Sequence, residues 1–204
     1  MELVFRKGEI IFDNKELTLL DRLVIDFVTT LNTKYVLVSG YVAILFGRSR
    51  NTEDVDLFIE AQEYDKFHKL YGSITKSGKY YCINALDSHE AYGILTDDKS
   101  SVRFAEKGMM EPNFEIKFPQ NEFNVYSLEH AINVRLDKKY SIPIGPMELQ
   151  LAYKLYLGSE KDQMDAAHLY RIFKGHLDMK KLSSFLSRLD INDADVKKIF
   201  GETI

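Results

Sequence analysis

The stretch VSGYVAILFGRSRNTEDVDLFIE, residues 38–60, places two aspartates, Asp54 and Asp56, in an otherwise apolar strand, just after a small-residue turn and two arginines. Alternation along DVDLFIE sends Val55, Leu57 and Ile59 to one face and Asp54, Asp56 and Phe58 to the other. Side chains two apart on a strand stand about 6.5–7 Å apart along it. Two carboxylates so placed suit a hard cation such as Mg²⁺ or Mn²⁺, which takes oxygen ligands and completes its shell with water and substrate phosphates. A pair of such ions about 3.5–4 Å apart can clamp the attacking and leaving oxygens of a phosphoryl transfer. A bare Asp-x-Asp is also what a solvated strand end carries, so the neighbours decide.

Those neighbours point to phosphate. KYVLVSG is a short apolar run that suits a buried strand entering a tight turn, and YVAILFG reads as a short helix ending at Gly47. Ser39 and Gly40 stand where that helix opens and free backbone N–H groups can receive a phosphate. Gly40 permits close backbone approach, and Arg48 and Arg50 supply positive charge.

Working outward, the segment around Lys7-Gly8 reads as an extended or hairpin element, and apolar residues from Leu20 to Leu31 recur at helical spacing in a helix starting near Asn14. A helix is expected over residues 61–71, and Asp87 with Glu90 forms a capping box for the next. SVRFAE and FEIKF alternate as strands, the second with Phe114, Ile116 and Phe118 on one face and Glu115 and Lys117 on the other. Residues 130–145 read as a hairpin turning at Asp137-Lys138-Lys139, and Pro146 suits the first position of a helix. From there on the chain is helical. The fold class is α+β: a small mixed β-sheet core flanked by helices over residues 1–145, then a C-terminal helical subdomain over 146–204.

Composition narrows the function. With 45% hydrophobic and 28% charged residues the chain is globular, and one cysteine, Cys82, excludes an internal disulfide framework and suits a reducing, cytoplasmic setting. Cys82 reads as a core thiol, and the five histidines show no metal-ligand spacing. No apolar run approaches the roughly 20 residues of a membrane span, and the N-terminus lacks the apolar core of a signal peptide. A net charge of -4 gives no global attraction to nucleic acid. An RNA partner would need a local patch such as Arg48, Arg50, Lys138, Lys139 and Lys154.

Residues 38–60 resemble the signature of the DNA polymerase β-like nucleotidyltransferase superfamily: a strand ending in Gly-Gly or Gly-Ser, a short helix, then Asp-hydrophobic-Asp on the next strand. The form seen here is most similar to the minimal nucleotidyltransferases that include abortive-infection toxins, with Ser39-Gly40 standing where many relatives have Gly-Gly. The resemblance implies a third carboxylate on a later strand, for which Glu115 is the candidate; as an ordinary residue Glu115 would be an exposed strand glutamate paired across the sheet with a lysine, and Lys117 on its face could contact phosphate. ELQLAYKLYLGSEKDQMDAAHLY resembles the segment in which a helix lysine precedes Lys-Asp-x-x-Asp. By position Lys154 then reaches the nucleotide phosphates, and Lys161, Asp162 and Asp165 belong to the second motif, although Ser159 with Asp162 also reads as a helix cap.

The expected function is transfer of a nucleoside monophosphate from a nucleoside triphosphate to an acceptor hydroxyl, with release of pyrophosphate. Asp54, Asp56 and Glu115 would hold Mg²⁺ (or Mn²⁺). Ser39, Gly40, Arg48, Arg50, Asp162 and Asp165 would serve the nucleotide, Lys154 the reacting phosphates, and Tyr41 could line a base pocket. The acceptor stays open between an RNA end such as that of tRNA, a protein and a small molecule. The alternatives are a nonenzymatic nucleotide- or protein-binding module, and a toxin held in check by an antitoxin partner.

Overall fold

The computed structural model describes residues 2–6 and 8–204 of the chain. In chain order, β1 (Glu2–Arg6) and β2 (Glu9–Asp13) lead to α1 (Leu19–Val28), β3 (Tyr35–Leu37), α2 (Gly40–Leu45) and β4 (Asp54–Ile59). Then come α3 (Tyr64–Thr75), β5 (Tyr80–Cys82), α4 (Ser88–Thr96), β6 (Val102–Glu106), β7 (Asn113–Lys117) and α5 (Glu122–Glu129). The hairpin of β8 (Ile132–Arg135) and β9 (Ser141–Ile144) precedes α6 (Met147–Leu157), α7 (Glu160–Phe173), α8 (Met179–Arg188) and α9 (Asp193–Phe200). Lys7, part of the turn expected between the first two strands, lies outside the described residues.

Among the described residues nine strands form one mixed sheet in the order β1-β2-β8-β9-β3-β4-β7-β6-β5. The sheet is larger than expected because both flanking hairpins join it. At its centre β4 runs antiparallel to β3 and parallel to β7, with Asp56 opposite Glu115. Next to them β6 runs antiparallel to β7 and sets Arg103 opposite Glu115. The face carrying Phe104 and Phe114 is covered by helices: Phe27 of α1 stacks on Phe114 at 3.7 Å, and Tyr71 of α3 meets Phe104 edge-on at 5.6 Å. Across the other face, which carries Asp56 and Lys117, α5 and α6 enclose a cavity.

One apolar cluster runs from Ile10 and Phe12 through Leu57 and Ile116 to Leu169 and Val196, so the helices after Ile144 are built onto the same core as the sheet. Of these, α6 is central, packing against α7 and α8 and burying Leu149, Gln150, Leu151, Lys154 and Leu155. A helix buried on all sides is normally apolar all round. Gln150 and Lys154 break that rule and share one face at i, i+4 spacing.

Several boundaries differ from the sequence expectation. The first helix starts at Leu19 rather than near Asn14, because Thr18 and Asp21 form a reciprocal capping box at 2.9 and 3.0 Å. Asp87 caps α4 as expected, but Glu90 accepts from the amide of Leu86, one residue beyond the cap. Pro146 is extended and precedes the first helical residue, Met147. Neither β5 nor α5 was anticipated: the first has three residues, too few for a readable alternation, and the second rests on its Asn121 cap and shows little amphipathic pattern. Cys82, expected in the core, is half-buried on the edge strand β5.

Candidate active site

The acidic face is built by strand register. Asp54 and Asp56 alternate with the fully buried Val55 and Leu57, and Asp56 lies directly across from Glu115 on the parallel neighbour. Lys117, two residues beyond Glu115 on the same face, reaches back between them: its Nζ lies 2.9 Å from Asp56 Oδ1 and 3.0 Å from Glu115 Oε2. Arg103 Nε adds a second cation, 2.9 Å from Glu115 Oε1.

These charges divide the carboxylates. Burial, then the proximity of Asp56 and Glu115, pushes the Asp54 carboxyl above its ordinary value. Burial acts in the same direction on Glu115, but the hydrogen bond and charge of Lys117, with Arg103, hold that carboxyl below its ordinary value. Burial opposes the charge on Lys117, and Asp56 with Glu115 outweighs it, so the ammonium is held more firmly than usual. Asp54 is thus the under-compensated member of the three. Among the described residues its side-chain hydrogen bonding is limited to a long 3.5 Å contact from the Thr52 hydroxyl.

The turn before α2 is strained. Ser39 has φ 63° and ψ −133°, a region that favours glycine, and its amide donates to Gln150 Oε1 at 3.2 Å. At Gly40 a Cβ would stand 2.4 Å from Arg50 Nη2, so the glycine admits the guanidinium against the backbone. Arg50 pairs with Asp165 Oδ2 at 2.7 Å. That oxygen also takes Lys154 Nζ at 3.0 Å, while Arg48 Nε stands 3.6 Å from Oδ1. The Asp165 side chain is fully buried and Lys154 nearly so, with side-chain exposures of 0% and 2%. Asp162 stands 3.6 Å from Lys154 and also accepts from the Ser159 hydroxyl at the start of α7. Asp165 is therefore a hub tying the loop after α2 to α6 and α7.

Beside the acidic strand lies a cavity of about 480 Å³, within the size range of small-molecule sites. Of the residues singled out in sequence, Ser39, Asp56 and Lys154 line it, joined by Lys117. Asp54 and Glu115 flank it on the same sheet face, while Arg48, Arg50, Asp162 and Asp165 stand behind Lys154. Gln150, Asn124, Ser127 and Tyr153 are among the other lining residues and were not anticipated. The amide that Gln150 accepts from Ser39 fixes its orientation and leaves Nε2 a buried donor with no partner. A glutamine inside the apolar run MELQLAYKLYL, one turn before Lys154, was the signal for it.

One expectation fails. Tyr41 does not line a base pocket: it is fully buried, its hydroxyl donates to Asp21 Oδ1 at 2.9 Å, and burial with that carboxylate pushes its pKa well up. Lys138 and Lys139 occupy the turn between β8 and β9, and Lys139 lies over the Tyr140 ring. Among the described residues no group of three or more histidine, cysteine, aspartate or glutamate side chains stands close enough to hold a metal ion. No helix among them is long and apolar enough to cross a membrane.

No protein-family model matches the chain, and no curated protein does. Among solved structures it is similar to an antigenic nucleotidyltransferase-like protein from Paracoccidioides brasiliensis, with a TM-score of 0.50 and 16% identity over 89% of this chain and 90% of that one. At that identity the likeness establishes the fold alone. The chain has an α+β, nucleotidyltransferase-like fold.

Proposed function

We propose that the protein transfers a nucleoside monophosphate from a nucleoside triphosphate to an acceptor hydroxyl and releases pyrophosphate. The observation that carries this reading is the placement of Asp54 and Asp56 on one face of β4, with Asp56 opening into a cavity of nucleotide size beside the Ser39-Gly40 turn. Mg²⁺ or Mn²⁺ fits Asp54 and Asp56: both offer hard oxygen donors, and the Asp54 carboxyl, raised first by burial and then by Asp56 and Glu115, is only partly offset by Lys161 and Lys117. Glu115 stands across from Asp56 with its carboxylate already engaged by Lys117 and Arg103. The chemistry such an ion supplies is a lowered pKa for the acceptor hydroxyl and compensation of charge on the phosphates.

The remaining roles fall to the chain's own groups. Gln150 engages the Ser39 amide, which leaves the Ser39 hydroxyl to meet the triphosphate, while Gly40, buried against Arg50, shapes the turn behind it. Lys154 presents its ammonium from the cavity wall to phosphate charge, and Asp162 and Asp165 fix where that ammonium stands. Arg48 and Arg50 act through Asp165, holding the turn against α7.

The test is thermal unfolding with each of the four common nucleoside triphosphates, with and without Mg²⁺, followed by transfer of an α-labelled nucleotide to RNA, protein and small-molecule acceptors. A ligand at about 100 times its dissociation constant adds roughly 2.7 kcal/mol to the native state. A shift that requires both the metal and Asp56 is the expected result. No shift with any nucleotide on the wild type refutes the proposal and favours a module that binds a protein.

A further inference from the structure

Asp56 and Glu115 are paired with two cations of the protein's own, Lys117 and Arg103, whereas Asp54 has neither in contact and is reached by the charges of Lys161 and Lys117 only from farther off. Lys117 does more than sit nearby. Its ammonium lies about equally close to Asp56 and Glu115, 2.9 and 3.0 Å away, and so bridges the two neighbouring strands. Those contact lengths suit an ammonium, whereas Mg²⁺ needs oxygens at about 2.0–2.1 Å. The position also follows from the backbone: Lys117 is opposite Phe58 in the parallel ladder, on the face shared by Asp56 and Glu115, and its stem spans one strand position diagonally.

We infer that Lys117 is the resident cation of this site: its ammonium fills the place of a second ion between Asp56 and Glu115, leaving room for a single divalent ion at Asp54 and Asp56. The inference rests on the proposed reaction and deepens it. The charge that a second ion would bring between Asp56 and Glu115 is then supplied by the lysine and is present before nucleotide or metal arrives. Glu115 becomes a positioning residue that holds Lys117, with Arg103 on its other oxygen.

Mn²⁺ alone is the probe, titrated into the metal-free full chain while the electron paramagnetic resonance signal of free Mn²⁺ counts bound ions, with the melting temperature followed in parallel. Wild type is expected to bind one ion per chain, and Asp54→Ala to lose it. Both Lys117→Met and Lys117→Gln are expected to bind a second ion and to hold the first at least tenfold more tightly, because a unit charge only a few ångströms away no longer repels it. Lys117→Arg, which keeps the charge, stays at one. Removing Lys117 leaves Asp56 and Glu115 facing each other, so Mn²⁺ should raise the melting temperature of Lys117→Gln more than that of wild type. Two ions on the wild type, or unchanged number and affinity in both neutral variants, overturns the inference while leaving the proposed reaction standing. Absence of Mn²⁺ binding by every chain, together with no response to nucleoside triphosphates, overturns both.

Discussion

Replacing Asp165 by asparagine keeps the volume and removes the charge on which Arg50 and Lys154 converge at 2.7 and 3.0 Å. Lys154 is then left almost fully buried with Asp162, 3.6 Å away, as its remaining carboxylate. Arg48 matters less, because it is partly exposed and its 3.6 Å approach to Oδ1 is too long for a hydrogen bond. Breaking a buried ion pair from one side costs about 3–5 kcal/mol, chiefly from the charge left without a partner. For a chain of this size, that corresponds to a fall in melting temperature of about 6–20 °C. Urea unfolding is the assay, with an unchanged slope showing that the denatured state is not responsible. The origin of the loss is checked by the double variant Asp165→Asn/Lys154→Met: with both charges gone it should recover stability relative to Asp165→Asn, giving a coupling of at least about 1.5 kcal/mol. A loss below about 1 kcal/mol in Asp165→Asn, or additivity in the cycle, refutes the view that this hub fastens the loop after α2 to the helices.

Three other outcomes follow from the same region. Gly40→Ala should cost about 1–3 kcal/mol in urea unfolding by driving Arg50 off Asp165, and should add nothing further when Arg50 is already alanine. Ser39→Gly should raise stability by about 1 kcal/mol, since relief of the positive-φ strain outweighs the added freedom of the unfolded chain; a lower melting temperature would show that Ser39 is not strained. Asp54→Asn, unfolded by urea in EDTA, should be more stable than wild type at pH 7. The raised Asp54 pKa means that wild type loses stability as pH climbs from the ordinary carboxylate value of 3.8 through the folded one, so the advantage of the variant should vanish below that window. An advantage that persists at pH 3 would contradict the electrostatic cause.

The acidic face was legible because it is encoded at short range. Strand alternation alone puts Asp54 with Asp56 and Glu115 with Lys117, and the register between β4 and β7 then brings the two pairs together. An exposed glutamate paired across the sheet with a lysine is not what forms: Glu115 is buried, the lysine it meets is Lys117 on its own strand, and the cation across the sheet is Arg103. What escaped is held by contacts between distant residues. Arg50 and Asp165 are 115 positions apart, so nothing in the local sequence signalled the pair. Tyr41 sits within the motif stretch yet points to Asp21 on α1, a capping residue hidden by the late start of that helix.

The Ser39 turn is completed from far along the chain. Its amide is received by Gln150, 111 residues later, and the Arg50 that lies against Gly40 is anchored by a residue later still. During synthesis the motif strand leaves the ribosome well before α6 and α7 exist, at roughly 5–20 residues per second. Until those helices dock, nothing holds Ser39 in its unfavourable backbone conformation, and the nascent chain carries the acidic strand without the finished turn beside it. Completion of the turn is thereby deferred until α6 and α7 have docked, and a fragment ending near Ile144 would retain Asp54 and Asp56 while lacking Gln150, Lys154 and Asp165.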